Sequence, residues 1–142
     1  MKRRESLLRL KRFRVDELKR RLATLDEMKS DLERKLNDLD DSVTREKVRA
    51  NDSDIGRLAF PSFLQSIDVR RKNIRTTMKD LEGERAKQQD DLAAAFQDLK
   101  SFEIAEEERV RRAAEAEAHA AQSRQDEMAI VRHLRKHAIR QG

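Results

Sequence analysis

Only one stretch of this 142-residue chain gathers the residues that turn a backbone. Between Ala50 and Pro61 it reads ANDSDIGRLAFP, which brings Asn51, Asp52, Ser53, Asp54, Gly56 and Pro61 together. Everything before about Arg49 lacks a helix breaker, and so does nearly everything after Ser62, Gly83 excepted. With three Gly and one Pro in all, folds built on many tight turns, such as sandwiches, barrels and βαβ units, are excluded. The expectation is an all-α chain: helix 1 over about 3–50, a loop over 51–61, and a longer helix 2 from about 62. Pro61 would open helix 2, because proline is tolerated in the first turn and not in the interior.

Both helices carry a heptad repeat. With Leu8 as an a position, the a series is Leu8, Val15, Leu22, Lys29, Leu36 and Val43. The d series is Lys11, Leu18, Leu25, Leu32, Leu39 and Glu46. Helix 2 fits a at Leu64, Arg71, Met78, Arg85, Leu92, Leu99 and Glu106, with d at Ile67, Ile74, Leu81, Gln88, Ala95 and Phe102. A 3.5-residue repeat held this long signals a supercoiled pair. The short connection makes the neighbours antiparallel, so a layers meet d layers where residue numbers sum to about 110. Val43 then faces Ile67, Leu36 faces Ile74, Leu32 faces Met78, Leu18 faces Leu92, and Leu8 faces Phe102.

Charge checks that register independently. Residues 2–21 carry a net +7 and would face residues 89–108, which carry −6; residues 22–41 (−4) would face 69–88 (+4). Exposed pairs contribute only about 0.2–1 kcal/mol each, so charge selects direction while apolar layers supply stability. Lys29, Arg85 and Gln88, with Gly83 alongside, interrupt the seam midway. Polar seam residues commonly fix register, and that reading stands ahead of a functional hinge.

Hairpin pairing would end near residue 108, leaving 109–142 as an overhang that is Ala-rich and then basic. The expected domains are therefore a coiled-coil hairpin over 1–110 and a C-terminal helical extension over 111–142, frayed or ordered by a partner.

Catalytic and metal chemistry is missing from the pattern. Counted from Asn51, a calcium loop would need an oxygen ligand at Ile55 and a glutamate at Ser62, so the EF-hand pattern fails. His133 and His137 share a helical face, but no third ligand stands near them and Arg135 and Lys136 repel a cation. No phosphate loop, dinucleotide fingerprint or nucleophile elbow occurs, and no cofactor site is expected. A thin two-helix rod also lacks the concave pocket that excludes water from a reaction. The absence of Cys excludes thiolate sites and disulfides. The longest apolar run, Leu92–Phe96, is far short of a membrane span, and the opening MKRRESLLRLKRF is too interrupted for a secretory signal.

Three binding roles stay open. A pI near 9.7 invites nucleic acid, but the N-terminal cations face acidic residues and no aromatics interleave for stacking. Met1–Phe13 is basic and amphipathic enough to lie on a membrane, although its leucines serve a coiled coil equally well. The third role is a protein-interaction rod.

The wording of the hairpin favours the third. The opening KRRESLLRLKRFRVDE (residues 2–17), the AFPSF of residues 59–63 and the RRKNI of residues 70–74 resemble the FliJ family of flagellar export proteins, in its alphaproteobacterial form. The resemblance covers most of residues 1–110; beyond that it is compositional. It implies a non-enzymatic, cytoplasmic component of the flagellar type III export apparatus, peripheral to the inner membrane. It further implies an antiparallel coiled coil similar to the γ stalk of rotary ATPases, one that binds the export ATPase FliI and contacts the export gate FlhA. The family has also been linked to the handling of export chaperones. An adaptor or nucleic-acid-binding protein unrelated to flagella is the alternative.

On that reading, Lys2, Arg3 and Arg4, with the tail cations Arg132, Arg135, Lys136 and Arg140, would suit an acidic surface of the ATPase ring. Phe60, Phe63, Leu64 and Ile67 at the hairpin tip would meet the gate. The competing role for Phe60 and Phe63 is a hydrophobic staple at the start of helix 2.

Overall fold

A computed structural model describes residues 2–141, and every one of them except Ser53 is helical. Helix α1 spans Lys2–Asp52 and helix α2 spans Asp54–Gln141. The chain divides into two units, Met1–Gln97 and Asp98–Gly142. Met1 and Gly142, which the expected domains include, lie outside the described residues.

The first unit is the antiparallel hairpin. Every a and d position assigned within it is buried or half-buried, including the polar Lys11, Lys29, Glu46, Arg71, Arg85 and Gln88. Leu18 and Ile67 are fully enclosed, with Val15, Ala50 and Leu81 close behind. Enclosing a leucine or isoleucine contributes about 1.5–3 kcal/mol relative to leaving it exposed, which makes this stripe the source of the unit's stability.

Ion pairs between the helices confirm the direction and the register. Arg85 Nε donates to Asp26 at 2.7 Å, Lys29 Nζ lies 3.9 Å from Glu82, and Arg71 pairs with Asp40. In each pair the residue numbers add to 111, one from the expected value. The polar middle of the seam is therefore answered across the pair, since Lys29 and Arg85 both find carboxylates on the facing helix. Gln88 is less well served: its amide nitrogen donates to Glu84 at 3.2 Å, while its carbonyl oxygen is buried with no partner.

The connection is far tighter than the eleven-residue loop expected over 51–61. Helix α1 continues through Asn51 and Asp52, and α2 begins at Asp54 rather than near residue 62. Ser53 explains this. Its hydroxyl accepts the Gly56 N–H at 2.9 Å and its carbonyl accepts the Arg57 N–H at 3.1 Å, so it caps α2, with Asp54 favourably placed in the first turn. Gly56 permits the close return. A Cβ there would sit 2.8 Å from both the Arg49 carbonyl and the Ser53 hydroxyl, and 3.1 Å from the Ala50 Cα. Pro61 falls inside α2, where it leaves the Arg57 carbonyl without an intrahelical donor. One serine cap and one missing side chain outweigh a proline that suggested a later start.

The second unit, described by itself, is the continuation of α2. Leu99 is buried and Phe102 and Glu106 are half-buried. From Val110 to Arg140 every side chain is exposed apart from Ala121.

Candidate partner-binding surfaces

The surfaces to weigh are the turn, the charged flanks and the basic tail. At the turn, the burial order differs from the expectation. Ile67 is a core residue, 2% exposed, and cannot meet a partner without the hairpin opening. Phe60, Phe63 and Leu64 are half-buried. The cap at Ser53 also removes the staple role, because the staple positions then fall on Asp52 and Arg57.

The apolar surface of the turn belongs to residues that the expected loop concealed. Ile55 and Leu58 are more than four-fifths exposed, one helical turn apart on the outer face of α2. Val48 and Val69 add exposed apolar area on α1 and α2. An i,i+3 apolar pair outside the a and d positions was the available signal, and it has meaning only once 54–61 is helical.

Along the flanks, charge is arranged in strips. One groove on α1 is lined by Asp26, Glu27, Asp31 and Glu33 with Arg34; one on α2 is lined by Arg71, Lys72, Arg75 and Lys79 with Asp68. Both are open grooves, and every residue named in them except the half-buried Arg71 is exposed. Neither could shield a reacting group from water.

Lys2, Arg3 and Arg4 are exposed at the start of α1. In the tail, Arg132, Arg135, Lys136 and Arg140 are exposed, and no carboxylate side chain follows Glu127. The heptad frame of α2 continues there with small residues: Ala113, Ala116, Ala120 and Ser123, then Glu127, Ile130 and Leu134. His133 and His137 stack with ring centroids 5.8 Å apart and planes at 19°. Among the described residues no group of three or more His, Cys, Asp or Glu could hold a metal ion. No described helix is long and apolar enough to cross a membrane.

No curated protein and no solved structure matches this chain. A family match is nevertheless decisive. The family described as "Flagellar FliJ protein" matches residues 1–138, nearly the whole chain, and it is a non-catalytic family. A helical hairpin held by an apolar seam and cross-helix charges agrees with that match, and the chain belongs to the flagellar FliJ family of coiled-coil proteins of the export apparatus.

Proposed function

We propose that this protein works as a γ-stalk-like coiled coil that binds the export ATPase FliI and links it to the export gate FlhA. It would do so in the cytoplasm at the inner-membrane base of the flagellum, with export chaperones as further partners. The opening KRRESLLRLKRFRVDE and the AFPSF segment support the alphaproteobacterial form of the family. The observation that carries the reading is how the hairpin spends its charges. Arg71, Arg85 and Lys29 are answered across the seam, whereas Arg132, Arg135, Lys136 and Arg140 make no ion pair among the described residues. Those four are one ATPase contact, and the exposed Lys2, Arg3 and Arg4 are another. The gate surface is the turn, where Ile55 and Leu58 join Phe60, Phe63 and Leu64, and Ile67 serves only to hold the helices together.

Capture assays separate the two surfaces. Reversing Arg132, Arg135, Lys136 and Arg140 to Glu should weaken FliI capture, with the deficit shrinking as salt rises. Unchanged capture at low salt would reject the ATPase assignment. Ile55→Asp with Leu58→Asp should weaken FlhA capture and leave helicity intact, since both side chains already face water. Full gate binding by that variant would move the gate contact elsewhere.

A further inference from the structure

The ATPase reading uses the charges of the tail and leaves its apolar face without a role. That face is distinct. Ile130, Leu134 and Ala138 recur every four residues and form one row along α2, with Val131 beside them. Arg132, Lys136 and Arg140 form a second row offset by two residues, which is about 200° around the helix. Most apolar and cationic groups are thus sorted to opposite sides of one helical segment, with Met128 and Ile139 falling among the cations. Ile130 and Leu134 are about three-fifths exposed and Val131 nearly half, so no described part of the chain covers the apolar side.

We infer that residues 128–140 form an interfacial helix that seats directly on an anionic lipid surface. Segregated apolar and basic faces on a segment of low overall hydrophobicity are the requirement for lying in the headgroup plane. The apolar row enters the acyl boundary. Arg135, next to Val131 on the flank, and the cations of the other row extend their long stems toward the lipid phosphates. Charge complementarity selects this occupant. A second copy packed on the apolar row would leave the four cations of each copy without a carboxylate to answer them, whereas an anionic bilayer satisfies both faces at once. Direct lipid contact goes beyond an attachment made only through the export apparatus. Because the same cations form the proposed ATPase surface, membrane and ATPase would compete for the tail.

Vesicle flotation of the purified full-length chain, without any partner protein, tests this independently of FliI binding. Vesicles of phosphatidylcholine with added phosphatidylglycerol should carry the protein, and pure phosphatidylcholine vesicles should carry at least ~10-fold less, given about 1 kcal/mol per basic residue near an anionic surface. Ile130→Gln with Leu134→Gln, which keeps every charge, should weaken partitioning by ~10-fold or more. Arg132→Gln, Lys136→Gln and Arg140→Gln together should weaken it on the order of 100-fold, and added salt should weaken the parent in the same direction. Circular dichroism in solution should be unchanged for both variants. Equal flotation with both lipids, or full flotation by the Ile130/Leu134 variant, would overturn the inference. So would a dimer in sedimentation equilibrium that this variant converts to monomer, since the face would then belong to a second copy.

Discussion

The hairpin and the tail share one helix and one repeat, yet differ in what fills it. In Met1–Gln97 the seam positions are mostly Leu, Ile and Val, and all are at least half-buried. Past residue 110 the same frame carries Ala113, Ala116, Ala120 and Ser123, and almost nothing there is buried. A 3.5-residue period says which face a helix offers. Side-chain size decides whether that face has enough to bury: about 1.5–3 kcal/mol for a leucine, against roughly 0.8 for a single methylene-sized group. The tail is helical for a different reason. Alanine has the best intrinsic propensity, and local bonds such as Arg112 to Glu108 and Gln122 to Asp126, both 3.2 Å, support it from within.

The sharpest way to break this contrast is to remove one leucine from each region. Leu18→Ala should cost about 2–5 kcal/mol of unfolding free energy, because Leu18 is fully enclosed and its neighbours cannot all collapse into the void. Leu134→Ala, at an exposed position, should stay within about 0.5 kcal/mol. Urea melts followed by circular dichroism decide the matter. Equal losses would mean that the tail is packed in solution.

Glycine offers a second contrast of smaller size. Gly56→Ala forces a methyl group to 2.8 Å from the Arg49 carbonyl, a backbone atom that cannot swing aside, and should destabilise the hairpin by about 1–3 kcal/mol. Gly83→Ala meets nothing within 4 Å and should stabilise it by about 0.5–1 kcal/mol. The same substitution thus changes sign within one helix. If both variants gain stability, the tight return around Ser53 is not what limits the connection.

How far the sequence revealed this molecule follows from the same particulars. The seam was legible because leucines at fixed spacing leave few alternatives, and the cross-helix pairs fell one residue from the expected sum. The turn was not. Asn, Asp, Gly and Pro in one window suggest a loop, and nothing in the letters announces that Ser53 caps a helix eight residues before Pro61. The difference extends to the surface: Ile67, expected at a partner, lies in the core, and Ile55 and Leu58 share an exposed face only because 54–61 is helical. The tail cations are legible from charge alone, and all four are exposed. Their segregation from Ile130 and Leu134 emerged only once the segment was known to be helical.

The smallest effect concerns the charges that fix register. Arg85 and Asp26 meet at 2.7 Å across the seam, with Arg85 mostly shielded and Asp26 about half exposed. A double-mutant cycle on Arg85→Gln and Asp26→Asn should return a coupling of about 0.2–1 kcal/mol, because solvent screens the pair on the aspartate side. Repeating the cycle at high salt should reduce the coupling further. The size matters less than its location. A matching cycle on Arg112 and Glu108, four residues apart within the tail helix, should give about 0.3–0.5 kcal/mol, but urea should report it as local fraying rather than as a shift of the cooperative transition. A coupling at Arg85 and Asp26 that likewise leaves the main transition unmoved would show that the charges decorate the seam and that the leucines alone choose how the two helices align.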